Sequence, residues 1–395
     1  MFPRVFSVNL PVVCLLATTP VTAQRVAEPV ATFPEPFSQV VGIRQLSDGR
    51  LIIADRLEQH VSYIDFTRGT LRQIGREGEG PGEYRQPMDL APFPDDGTLL
   101  TDFGNMRISL IDNQGRINQS WPMMRPGPDG GMQFVRPSAT DGEGNIYFST
   151  TGMVMRGRGA SSPTPSDSGY LFRVDLENET TDTVATLYSE PIQQDGQQSV
   201  RISGGSARIQ GFSVRPFRTE DAWGVAPDGR IAIVRATNYS VDWLNPDGHM
   251  VVGTATPYER VRITQKEKEA WAERSSGNTV SMVVSGSGGS GSGSNSFSVP
   301  TPDVDEMEFP EYMPPFGTGA VNVAPNGDVW VRLNRSADNP EPLFDVFNSN
   351  GRKVRQVQLE QGRRLVGFGT GSFYAVLIDE DDLQWLEQYS YPADR

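Results

Sequence analysis

Residues 46–55 read L-S-D-G-R-L-I-I-A-D, an Asp-Gly pair leading into apolar residues that end on an aspartate. Asp-Gly or Asn-Gly between β-formers is a strong hairpin signal, because these residues accept the positive φ of a tight turn. The motif returns as F-P-D-D-G-T-L-L-T-D at 93–102, T-D-G-E-G-N-I-Y-F-S at 140–149, A-P-D-G-R-I-A-I-V at 226–234 and A-P-N-G-D-V-W-V at 324–331. A degenerate sixth copy is G-F-G-T-G-S-F-Y-A-V-L at 367–377. A second turn follows in most copies, as in Y-I-D-F-T-R-G at 63–69, L-I-D-N-Q-G at 110–115, D-W-L-N-P-D-G at 242–248 and D-V-F-N-S-N-G at 345–351. Each unit is therefore four strands, A to D, joined by a tight turn, a loop and a second tight turn. Six such units without intervening helices predict an all-β fold, a six-bladed β-propeller of four-stranded antiparallel blades. The sixth unit ends after its third strand. V-A-E-P-V-A-T-F at 26–33 has no other evident partner and is expected to supply the missing strand D, closing the last blade and covering its edge.

Between the first two units lies G-R-E-G-E-G-P-G-E-Y-R-Q-P-M-D-L-A at 75–91. Its glycines match neither G-x-G-x-x-G nor a P-loop, and Pro87 falls where a helix should be under way, so a phosphate cradle is not expected. It reads as the connector from strand D of blade 1 to strand A of blade 2. The run G-E-G-P-G-E-Y-R-Q-P-M-D-L-A at 78–91, with D-G-T-L-L-T-D-F-G-N-M-R-I-S-L-I-D at 96–112, resembles the NHL-repeat propellers and the wider six-bladed propellers of bacterial exported proteins. The resemblance is close over blades 1 and 2 and looser to the C-terminus. It implies the fold, and implies that Asp55, Asp102 and Arg107 brace their blades. It carries little about function, since propellers host binding modules and unrelated enzymes alike.

The chain has 395 residues, a net charge of −14 and one cysteine. An acidic balance argues against a general nucleic-acid or anionic-membrane binder. Residues 1–23 read as a signal peptide: Arg4, the apolar L-P-V-V-C-L-L-A, then V-T-A before Gln24. Cleavage there would remove Cys14, leaving 24–395 as a single domain without a disulfide, thiol nucleophile or membrane span, exported to the periplasm or beyond.

If the tight turns occupy one face, the B–C and D–A connections share the other. All the long insertions expected from sequence, 151–169, 189–220 and 256–317, fall in that second class and would form a crown over one face. The largest contains one short helix, R-I-T-Q-K-E-K-E-A-W-A-E-R-S-S-G-N, with Thr264 as N-cap and Glu267 completing a capping box. A Gly/Ser tract follows at 284–296. Arg201, Arg208, Arg215 and Arg218 lie in a stretch without acids, and Arg156 and Arg158 should approach the same mouth. Such guanidiniums suit a small anionic ligand, or they pair with acids such as Asp303, Asp305, Glu306 and Glu308. Asp379, Asp381 and Asp382 in D-E-D-D are weak calcium candidates without an EF-hand pattern, and a solvated acidic loop is the plainer reading. With two histidines, His60 and His249, expected on opposite faces, no multi-histidine zinc site is available.

Three functional readings remain open. The leading one is a non-catalytic module binding a small anionic ligand or another envelope protein, without a cofactor. The second is a Ca-assisted hydrolase, lactonase or lyase with carboxylates at the channel mouth. The third is a structural or assembly protein of the envelope.

Overall fold

The computed structural model describes residues 23–26, 28–128, 132–150, 167–191, 197–202, 205–210, 215–276, 281–283, 296–298 and 304–392. The expected signal sequence up to residue 22, Arg156, Arg158, Asp303 and the Gly/Ser tract up to residue 295 lie outside the described residues.

Six four-stranded antiparallel meanders form the ring. Blade 1 runs Val40–Gln45, Leu51–Asp55, His60–Asp65, Thr70–Ile74, and blade 2 runs Pro87–Phe93, Gly97–Asp102, Arg107–Ile111, Ile117–Pro122. Blade 3 is Ala139–Thr140, Ile146–Ser149, Ser168–Asp175, Thr180–Tyr188, and blade 4 is Ala222–Val225, Ile231–Arg235, Ser240–Leu244, Met250–Val251. Blade 5 is Phe316–Val323, Val329–Leu333, Leu343–Phe347, Lys353–Gln358. Blade 6 takes Arg363–Gly369, Ser372–Ile378 and Gln384–Ser390 from the end of the chain and Ala31–Thr32 from its beginning. The closing strand is held by Ala31 opposite Gln388 and by Phe33 N–H donating to Leu386 O at 2.8 Å.

The core is divided among the blade interfaces. A buried cluster lies between each adjacent pair: Phe33, Ile43 and Tyr374 join blades 6 and 1, while Val234, Trp243 and Val331 join blades 4 and 5. Middle strands buried on both faces explain why B strands read as unbroken apolar runs, and Leu51–Asp55 is buried throughout. Trp243 and Trp330 are fully buried, as expected of core residues.

Several features depart from the repeat. Ala23–Arg25 pairs in parallel with Lys353–Gln358, giving blade 5 a fifth strand. The blade 2 A–B turn places positive φ on Asp95 and Asp96 rather than on Gly97, one residue earlier than the Asp-Gly reading implies. The cause is tertiary: the Asp96 carboxylate accepts the Ser47 N–H at 3.1 Å and pairs with Arg44 at 3.3 Å, both from blade 1. The connection between blades 2 and 3 also carries a small hairpin, Met124–Pro126 with Met132–Phe134, on the same face as the long insertions.

Candidate anion site on the crowned face

The insertions before blades 4 and 5 meet around Phe309. Its ring lies 6.3 Å from Phe217 and 5.9 Å from Trp271, with Lys268 Nζ 5.1 Å from the ring centre. The helix Gln265–Ser276 has the expected cap, in which Thr264 N–H donates to Glu267 Oε2 at 3.1 Å. Glu267 also accepts the Ala337 N–H at 3.3 Å, and Lys266 pairs with Asp338. These contacts fasten the first turn of the helix to the B–C loop of blade 5. Arg274 occupies its last turn, where a cation complements the helix dipole.

Arg332 lies beside that assembly, on strand B of blade 5. Strand register makes it the counterpart of Ala54, Thr101 and Val234, which are all buried. An arginine at a position otherwise filled by small side chains needs room. The room comes from the inner strand, which pairs through Phe316–Leu333 and again through Val321–Val331 and bulges between them, opposite Arg332. Gly319 in the bulge has φ +68° and open space where a Cβ would stand, so a side chain there would be strained by conformation and would narrow the opening.

Arg332 is exposed, yet its pKa is held below the ordinary arginine value, first by lost hydration and then by Arg274. Solvent therefore reaches its side chain while surrounding protein takes part of the guanidinium's hydration away. It makes no hydrogen bond or ion pair among the described residues. Arg364, on the inner strand of blade 6, is likewise lowered by burial and then by Arg332. It donates to Val40 O at 2.9 Å and Gln384 Oε1 at 3.0 Å, both neutral acceptors. Arg332 is therefore repelled from two sides, by Arg274 and by Arg364, in a chain of net charge −14.

The arginines singled out by sequence are arranged differently. Arg215 pairs with Glu190. Arg218 donates to Ser189 Oγ and Glu190 O, each at 2.8 Å, and lies 3.9 Å from Glu220. Their acids come from the same insertion, and together they tie its two ends near the Ser189–Glu220 bridge. Arg201 and Arg208 belong to a hairpin, Gln197–Ile202 with Gly205–Gln210, opposite Ser206 and Ser199 respectively. Sequence reading missed Arg332 because it looked for a dense arginine run. V-W-V-R-L alone does not single it out, since I-A-I-V-R of blade 4 also carries an arginine, and only strand register separates the two.

The remaining candidates are accounted for locally. Asp379 accepts N–H groups from Asp381 at 3.0 Å, Leu383 at 2.9 Å and the Trp385 indole at 2.8 Å, which holds its pKa below the usual range, the indole contributing most. Asp381 and Asp382 are exposed. Among the described residues no three His, Cys, Asp or Glu side chains are grouped to hold a metal ion. Asp55 accepts N–H groups from Ser38 at 2.7 Å, Gln39 at 3.1 Å, Leu57 at 3.1 Å and Glu58 at 3.2 Å, which leaves it bracing the loop rather than orienting His60. In the glycine-rich connector, Arg107 donates to Glu83 O at 2.7 Å and Asn105 to Gly78 O at 2.9 Å. Those carbonyls face cationic and amide donors, the opposite polarity to a phosphate cradle.

No family model and no curated protein matches the chain. Among solved structures, a protein from Bacteroides fragilis classed as exported is 14% identical, with a TM-score of 0.45 over 92% of this chain and 94% of its own. Regucalcin from Agrobacterium tumefaciens, a calcium-binding protein, is 11% identical, with a TM-score of 0.40 over 95% of this chain and 99% of its own. A virginiamycin B lyase from Staphylococcus aureus is 12% identical, with a TM-score of 0.38 over 91% of this chain and 98% of its own. At these values the assignment of a six-bladed β-propeller rests on the chain's own strand pairing.

Proposed function

We propose that this chain is an exported, non-catalytic binding propeller that takes a small anionic ligand on its crowned face, with Arg332 as the principal contact and Arg364 beside it. The observation that carries the reading is Arg332 itself: solvent-accessible, desolvated, repelled by Arg274, and without a counter-charge among the described residues. Charge-assisted hydrogen bonds from a guanidinium are worth roughly 1.5–3 kcal/mol each, while the chain's net charge of −14 opposes larger polyanions. Export is supported by the V-T-A site before Gln24.

The test is thermal shift in a low-chloride buffer with inorganic phosphate, sulfate, dicarboxylates and uronic acids, on the wild type and Arg332→Ala. At about 1.4 kcal/mol per decade, loss of one such contact should weaken the responding anion about ten- to a hundredfold. The reading is abandoned if no anion stabilises the wild type, or if the variant responds equally.

A further inference from the structure

A recess lies on the outer part of blade 5, with a volume of about 410 Å³. That volume is within the ~300–1,000 Å³ typical of small-molecule sites. Its floor is built around Asp345, which has no exposed surface. A buried carboxylate must be answered by donors and counter-charge, and this one accepts from Gln356 Nε2 at 2.8 Å and Tyr239 OH at 2.7 Å and forms an ion pair with Lys353 Nζ at 2.8 Å. The network fixes Lys353 in the cavity floor without exhausting it. An ammonium has three donors, and Asp345 is the one partner of Lys353 among the described residues. At the rim, Arg335 is positioned by Nε donating to Asn339 O at 3.2 Å. Pro257, Tyr258, Pro315 and Leu333 form apolar wall, and Tyr258 is held edge-on against Tyr239, 5.5 Å between ring centres.

We propose that this cavity binds a small organic carboxylate, its carboxylate on the remaining N–H groups of Lys353 and its carbon body against Tyr258 and the two prolines. The chemistry follows from the asymmetry of the lining. The spare donors sit on a fixed floor whose own carboxylate is already partnered, one wall is apolar, and Glu259, Asn334, Ser336 and Asn339 make the rest of the lining polar. A bare inorganic anion would leave the apolar wall uncovered, and an uncharged hydrocarbon would leave Lys353 without a second partner. Neither Arg332 nor Arg364 lines this cavity, and the proposal stands or falls separately from theirs.

Calorimetric titration of the full chain with benzoate, phenylalanine and inorganic phosphate tests it, with three variants in parallel. Lys353→Met removes the proposed contact but also a partner of Asp345. Ser336→Trp fills the cavity from its rim and leaves that network intact, so it remains informative if the first variant fails to fold. Arg332→Ala reports on the other site. Benzoate should bind the wild type and Arg332→Ala with equal affinity, and at least tenfold more weakly to Ser336→Trp. Binding of phenylalanine as well would identify free amino acids as the source of the carboxylate, and benzoate alone would identify simple acids. The proposal is overturned if neither carboxylate binds at millimolar concentration, if phosphate binds as well as benzoate and competes with it, or if binding survives Ser336→Trp and disappears in Arg332→Ala.

Discussion

Arg107 and Arg332 both stand near the crowned end of a middle strand, but their surroundings differ in charge. Arg107 Nε meets Asp102 Oδ2 at 2.8 Å, and that carboxylate, fully buried, also accepts from Arg85 N and Asn105 Nδ2 at 2.8 Å. Removing that carboxylate takes the acceptor from the Arg85 N–H and the Asn105 amide, and a buried donor left unsatisfied costs about 1–3 kcal/mol. Asp102→Ala should therefore lower the urea midpoint sharply, with lost ligand binding only as a consequence of unfolding. Arg332→Ala should do the reverse. It deletes a cation whose neighbours repel it, so the unliganded protein should be as stable as wild type or slightly more so in the same titration. A clear destabilisation by Arg332→Ala would mean that its guanidinium already has a partner. The brace was legible in sequence because the repeat presents Asp55 and Asp102 at matching positions. Arg332 was not, since its oddity emerges only when register aligns it with Ala54, Thr101 and Val234.

At the scale of the turns, the Asp/Asn-Gly pattern was readable because its cause is local. Asp112 shows that cause: it accepts N–H groups from Gln114 at 3.0 Å and Arg116 at 2.9 Å, and the Arg116 guanidinium at 2.7 Å. Burial alone would raise its pKa, but these donors outweigh burial and hold it below the usual value. Asp175 is lowered chiefly by the Asn178 backbone N–H. A carboxylate with a depressed folded pKa stabilises the fold above its unfolded value, about 3.9 for aspartate, and that contribution is lost as pH falls through the lower folded value. Asp112→Ala should cost about 1 kcal/mol at pH 7, near the low end for lost hydrogen bonds at a partly exposed turn. The gap from wild type should narrow as the pH is lowered through about 3.9 and on through the lower folded value in paired denaturation curves, where the wild-type carboxylate becomes protonated as well. A gap that stays constant with pH would show that the hydrogen bonds matter without the charge. The hairpins outside the blades were not read although P-D-G-G at 128–131 and S-G-G at 203–205 are turn signals, because neither belongs to the repeat, and the shifted turn at Asp95–Asp96 depends on Ser47 and Arg44 of another blade.

The whole ring depends on its first described residues. Along the closing segment, Val30 N–H reaches Gln388 O at 2.7 Å, Phe33 reaches Leu386 O at 2.8 Å and Phe37 reaches Gln384 O at 2.8 Å. Phe33 is fully buried, 5.8 Å from Phe37 and 5.7 Å from Phe66 between ring centres. The closing strand was foreseeable because a missing fourth strand and an unassigned β segment answer each other. The parallel strand Ala23–Arg25 on blade 5 was not, because a complete four-strand blade gives no cause to expect a fifth. These two attachments should differ in consequence. Deleting residues 24–26 removes most of an added edge strand and should lower the melting temperature modestly. Deleting 24–34 also removes strand D of blade 6 and the Phe33 anchor. Burying a phenylalanine side chain is worth about 1.5–3 kcal/mol, and a few backbone hydrogen bonds add about 1 kcal/mol each. Their sum is comparable with a net stability of about 5–15 kcal/mol, and the newly opened edge of blade 6 would template association between chains. The longer deletion should therefore aggregate or melt far below the shorter one, as followed by circular dichroism and light scattering. Equal melting of the two truncations would show that Ala31–Thr32 does not hold the ring closed, and that blade 6 is stable with three strands.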